Sequence, residues 1–289
     1  MKHILLGLML FITITTNAQV GIGTVIPNTS AVLDITSTNK GFLPPRMTAV
    51  QRDLISAPAQ GLVVYCTNCG TNGELQVYNG TTWTNIVGGA AAAVPPPPSV
   101  TNPTTGKIWM DRNLGATQVA TSSTDAASYG DLYQWGRAAD GHQIRTSGTT
   151  ATLSSADQPG HGNFITVNAG NYDWRTPQNN TLWQGVNGVN NPCPSGYRLP
   201  TNTELNQERL SWSPNNSAGA FASPLKLPLA GYRLGANGNG SFINVGSLGY
   251  YWSSTVIGQQ AHNLIFNSSG TNMLNNFLAD GYSVRCIKN

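Results

Sequence analysis

The sequence predicts an α+β fold, mostly antiparallel β, divided into two unequal units. Three observations carry that prediction. Short apolar runs of strand composition recur along the chain between Gly and Asn turns. Two sites, Thr48 and Thr201, carry a capping-box pattern at a helix start, with Gln51 and Glu204 three residues on. A stretch of alanines followed by Pro95-Pro-Pro-Pro98 then interrupts the apolar periodicity, so residues 88–106 read as a linker. Its prolines favour an extended left-handed helix rising about 3.1 Å per residue, a semi-rigid spacer between the units.

The N-terminus sets the expected compartment. Lys2 and His3 precede an apolar run over 4–14, and Thr16-Asn17-Ala18 offers the small residues a signal peptidase reads, so residues 1–19 are expected to be a signal peptide. No cysteine follows the signal, which argues against a lipid anchor. That run is too short to span a bilayer, and no later segment approaches about 18 uninterrupted apolar residues. The expectation is a secreted protein, extracellular or at a cell surface. Charged residues make up only 9 % of the chain and the net charge is +3, so neutral Gly, Asn, Ser and Thr carry its solubility. Such surfaces repel one another weakly and permit close self-association. Basic residues are scattered singly, without a stripe that could follow phosphates, which argues against nucleic acid as a partner.

Four cysteines, Cys66, Cys69, Cys193 and Cys286, allow three disulfide connectivities in an oxidising compartment. The favoured pairing joins the local pair and the distant pair. A zinc site would normally show a second closely spaced pair, so no metal is expected. The Cys-x-x-Cys follows a strand-like run instead of opening a helix, which disfavours a redox motif. A Cys193–Cys286 bridge would close a loop of about 93 residues, worth on the order of 4–5 kcal/mol in the chain-entropy account.

Residues 20–87 form the smaller unit, with strands expected at 31–35, 61–65, 75–78 and 82–86. Thr48 and Gln51 start a brief helix ending near Ile55. A unit this short with so few large apolar side chains supports only a marginal core unless partners complete it. Its segments Val20-Gly-Ile-Gly-Thr24, Lys40-Gly-Phe-Leu-Pro-Pro-Arg-Met-Thr48 and Tyr78-Asn-Gly-Thr-Thr-Trp83 resemble the stalk segments of Bacteroidetes surface proteins and phage tail fibres. The resemblance implies an intertwined homotrimer.

Residues 107–289 form the larger unit. A strand is expected around Ile108 and Met110, a helix from Thr201 carrying Leu205 and Arg209, and short strands at 225–229, 250–254, 264–267 and 282–287. Trp109-Met-Asp-Arg-Asn-Leu114, Tyr129-Gly-Asp-Leu-Tyr-Gln-Trp135, Cys193-Pro-Ser-Gly-Tyr-Arg-Leu-Pro200, Tyr251-Trp-Ser-Ser-Thr255 and Ser283-Val-Arg-Cys286 resemble the Fibrobacter succinogenes major paralogous domain family. That family is similar to the C-type-lectin-like and formylglycine-generating-enzyme-like folds. The resemblance implies a twisted antiparallel sheet, flanking helices and long exposed loops, and it does not imply one function.

Calcium-dependent sugar binding is not expected, because Trp252 is followed by Ser253 and Ser254 and the acidic and amide oxygens that calcium needs are missing. Sugar could instead stack on Tyr232, Tyr250 or Tyr251 and bond to Asn237, Asn239 or Asn244, which are the candidate ligand-binding residues. Trp109, Trp135 and Trp252 read as core. No catalytic residues and no cofactor are assigned: neither a His-Glu-x-x-His helix nor a Gly-x-Ser-x-Gly elbow nor a phosphate loop is present. The acid pairs Asp125 with Asp131 and Glu204 with Glu208 are the only hint of a glycan-active enzyme. Asp111 with Arg112 and Asp173 with Arg175 read as ion pairs or turn formers. The expected function is a fibre or adhesin-like protein whose partners are itself and a glycan or surface protein. A self-assembling filament subunit is the alternative.

Overall fold

The computed structural model describes residues 19–92 and 97–289, and the chain divides between 96 and 97 into two compact units. The expected signal peptide lies outside the described residues but for Gln19, as does part of the expected proline spacer.

The smaller unit is a thin β structure. Val20–Ile22 pairs in parallel with Leu33–Ile35. A four-stranded sheet follows in the order Arg46–Met47, Val63–Cys66, Glu74–Tyr78 and Trp83–Asn85, parallel at its first junction and antiparallel at the other two. Helix Ala49–Asp53 starts on the predicted capping box: Thr48 Oγ1 accepts from the Gln51 N–H while Gln51 Oε1 accepts from the Thr48 N–H. Asn68, inside the Cys66–Cys69 disulfide loop, accepts from the Ala49 N–H at 2.8 Å and ties the helix to the sheet. Ala49, Cys66 and Cys69 make a small buried cluster, so the disulfide supplies much of what this unit buries.

Residues from 97 on belong to the larger unit, which corrects the expected linker boundary at 106. Ser99–Thr101 pairs antiparallel with Ile108–Met110, because the turn at 102–107 lets Val100 lie against Trp109. These two strands continue a four-stranded sheet in the order Tyr197–Arg198, Ile287–Lys288, Ile108–Met110, Ser99–Thr101. The chain's last strand is therefore central, and Cys286, directly before it, is bonded to Cys193, four residues before Tyr197. A second four-stranded sheet runs Phe242–Ile243, Tyr232–Arg233, Gly281–Tyr282, Tyr133–Gln134. The longest strands form a three-stranded antiparallel sheet, Gly249–Ile257, Gln260–Phe266 and Thr271–Phe277.

Helix Asn202–Leu210 starts on the second capping box, in which Glu204 also takes both terminal nitrogens of Arg198 at 2.8 Å. It buries Leu205 beside Trp109, Trp212, Tyr251 and Phe266. A second cluster holds Trp135, Trp183, Trp252, Tyr282 and Cys286. The three tryptophans expected in the core are all buried. The strand expected at 225–229 is absent: Leu225, Leu227 and Leu229 are buried in an irregular segment where Pro224 and Pro228 remove ladder donors.

Candidate functional site

Alternation along a strand decides the fate of the predicted tyrosines. Successive side chains point to opposite faces, so neighbours 250 and 251 part company. Tyr250 joins Tyr232, with ring centroids 4.8 Å apart, and both lie on Tyr282, at 5.0 and 5.5 Å. Asn244 donates to the Tyr250 hydroxyl at 3.1 Å from a turn with φ 57°, a conformation asparagine tolerates. Tyr251 instead enters the core at 1 % exposure, stacked on Phe266. Its hydroxyl donates to the Pro228 carbonyl and accepts from Asn113, so it is not available to a ligand. Asn237 and Asn239 sit in the loop between Tyr232–Arg233 and Phe242–Ile243. Asn239 is occupied by the Ser241 N–H and hydroxyl, and Asn237 is exposed with φ 51°. Among the described residues no hydrogen bond joins either of them to the tyrosines.

The structure thus brings together Tyr232, Asn244 and Tyr250 and separates Tyr251, Asn237 and Asn239 from them. Sequence reading missed Phe242 and Asp280. Phe242, on the adjoining edge strand, stands opposite Arg233 and so on the other side of the sheet from Tyr232; it is partly exposed, with Arg145 and Arg233 each placing a guanidinium 5.5 Å from its ring centroid. Asp280 lies buried nearby, accepting from the Gly235 and Ala236 N–H groups at 2.9 and 3.0 Å. Burial pushes its carboxyl up to about 6, and burial chiefly, with Asp280 adding, raises the Tyr232 and Tyr250 phenols. The phenols stay protonated at neutral pH. Tyr250 is itself buried at 8 % exposure with its hydroxyl taken by Asn244, so what the face offers to solvent is the half-buried Tyr232 ring and the Asn244 amide, a small stacking and hydrogen-bonding surface.

Three of the four acids weighed for catalysis, Asp125, Glu204 and Glu208, have structural occupations. Asp125 caps the turn Ala126–Ser128, and Glu208 is buried, accepting from Asn102 and Trp212. Glu204 is occupied by the helix cap and Arg198, whose hydrogen bonds outweigh burial and hold its carboxyl down at about 2. His142 is buried against Asp140, 2.6 Å from its Nδ1, while its Nε2 accepts from the Gln134 N–H. Asp111 pairs with Arg112 as expected, whereas Arg175 turns its guanidinium to Asp157 and leaves only its backbone N–H for Asp173. Among the described residues no group of three or more His, Cys, Asp or Glu side chains is placed to hold a metal ion.

The smaller unit presents a different kind of site. Val25 is 97 % exposed and Leu54 77 %, and Ile26, Val32, Phe42, Leu43 and Val50 are also open to solvent. A contiguous run of chain that exposes this many large apolar side chains marks an association surface. Residues 21–105 match a family described as a phage tail like trimerisation region. No curated protein matches the chain, and no solved structure does. Residues 21–105 are therefore similar to a phage tail like trimerisation region, and the exposed apolar residues lie within that match. The lectin-like resemblance of 107–289 rests on its motifs.

Proposed function

We propose that the protein is an exported, non-enzymatic fibre or adhesin-like subunit in which three copies of residues 20–87 assemble a stalk and each copy displays a C-type-lectin-like recognition head. The observation that carries this reading is the apolar surface of residues 20–54, coincident with the trimerisation match. At roughly 25 cal/mol per Å² of apolar area removed from water, burying such side chains drives assembly. Three heads on one stalk multiply weak single-site affinity through effective concentration. The face of Tyr232, Asn244 and Tyr250 is the candidate contact for a glycan or surface protein. Binding of the full chain to a broad glycan array tests the recognition half: signal that falls on Asn244→Ala supports it, and a blank array together with unchanged cell attachment after deletion contradicts it.

One observation favours the filament alternative. Thr271–Phe277 is a sheet edge with no strand along its outer side among the described residues. Its sequence, Thr-Asn-Met-Leu-Asn-Asn-Phe, carries none of the charges or prolines that usually protect an edge. Negative-stain images decide between them: discrete club-shaped particles fit the adhesin, and long uniform fibres fit a polymer joined at such edges.

A further inference from the structure

Away from the tyrosine face, the larger unit has a partly open pocket of about 360 Å³ beside the loops at 169–171 and 176–178. This lies at the low end of small-molecule sites, roughly 300–1,000 Å³, and suits one ring better than a chain. Leu153, Val167 and Ala169 give it an apolar wall, and Asp173, Arg175 and Gln178 a polar one. Asp173 is only 4 % exposed, and among the described residues no side chain donates to it. Its carboxylate accepts from backbone N–H groups alone, that of Arg175 at 3.2 Å. Burial raises this carboxyl to about 7, as expected of a buried acid without a full set of donors.

Arg175 is also incompletely used. Its Nε lies 2.9 Å from Asp157 Oδ1 without the alignment of a hydrogen bond. One terminal nitrogen donates to the Pro177 carbonyl, and the other has no acceptor among the described residues. A buried carboxylate held by backbone N–H groups alone and a guanidinium whose Nε is buried without a hydrogen-bond partner therefore line the same small pocket, and leaving a buried donor unpaired is costly.

The two charges select the ligand. A ligand carrying only a carboxylate is repelled by Asp173 and one carrying only an ammonium by Arg175, whereas a neutral group that both donates and accepts on neighbouring atoms satisfies the two together. Adjacent hydroxyls do this, one O–H donating to the carboxylate while a neighbouring oxygen accepts from the guanidinium. The C–H face of a ring carrying them fits against Leu153, Val167 and Ala169. We propose that this cavity binds a neutral ligand with adjacent hydroxyl groups, of the kind a single pyranose ring presents. The site shares no lining residue with the tyrosine face, so it stands or falls independently of that reading.

Saturation-transfer NMR on the full chain tests it, using methyl pyranosides of gluco, galacto, manno and fuco configuration, with glycerol as an acyclic diol. The expected result is saturable transfer from at least one pyranoside. Asp173→Asn, which removes the charge-assisted acceptor, weakens it tenfold or more, and Leu153→Trp, which fills the mouth from its exposed rim, does the same. Asn244→Ala leaves it unchanged. Asp173→Asn also raises the melting temperature at pH 8, because a buried charge is gone, and this shows that the loss of binding is not loss of fold. Transfer from glycerol equal to that from every pyranoside overturns the ring assignment. Absence of transfer at millimolar glycoside, or undiminished transfer in both variants, overturns the site. Loss in Asn244→Ala alone overturns it too, while sparing recognition at the tyrosine face.

Discussion

His142 shows how a single side chain in the larger unit couples burial to pH. Burial pulls its pKa down to about 4, against the partial compensation of Asp140, so the folded state holds the imidazole neutral. Its Nε2 accepts from a backbone N–H, which fixes the proton on Nδ1 facing Asp140. Because the folded pKa is depressed below the ordinary value of about 6.5, this stability is fully present above that value and is lost as pH falls toward 4. The loss amounts to about 3 kcal/mol at the acid end. Melting temperatures measured from pH 7 to pH 4 should fall steeply, and His142→Gln should flatten that acid limb. A wild-type acid limb no steeper than the variant's contradicts the assignment. The tyrosines teach the complementary lesson. Tyr250 and Tyr251 are consecutive in a strand, and the two-residue period alone separates them, so that part of the site was legible in the sequence. Asp173 was legible only as an ion-pair partner or turn former, because its cavity is completed by Leu153 and Val167 on other segments of the chain.

At the scale of elements, short-range chemistry and the cysteine pairing were readable, and long-range strand pairing was not. Both capping boxes sit where Thr48 with Gln51 and Thr201 with Glu204 place them, since each needs only residues three apart. Both disulfides join the expected partners. Thr271–Phe277 escaped notice because three of its seven residues are asparagine, a residue depleted in strands, and register with Gln260–Phe266 imposes its conformation. Ser99–Thr101 was hidden by the prolines before it, although its partner strand was predicted. The Cys193–Cys286 bridge anchors the central final strand across a sequence separation of 93. Cys286→Ser, with Cys193 also replaced to prevent mispairing, should cost the larger unit about 4–5 kcal/mol of stability in the chain-entropy account and lower its melting temperature sharply. An unchanged transition in a calorimetric scan sinks that role.

For the whole molecule, two units of opposite character share one chain. The larger unit buries aromatic side chains in three clusters. The smaller one buries little more than Ala49, Val64 and a disulfide, while Val25, Ile26, Phe42, Leu43 and Leu54 face solvent. That imbalance was partly legible, since a segment of this length with few large apolar residues cannot close a core alone. Which apolar residues stay outside required the structure. Self-association of residues 20–87 follows, and the trimerisation match sets the expected number of copies. Sedimentation equilibrium of the mature protein at micromolar concentration tests this most directly. Three chain masses for the wild type, falling to one in a Leu43→Asp, Leu54→Asp variant with unchanged circular dichroism, is the predicted result, whereas a wild type that sediments as a single chain contradicts it.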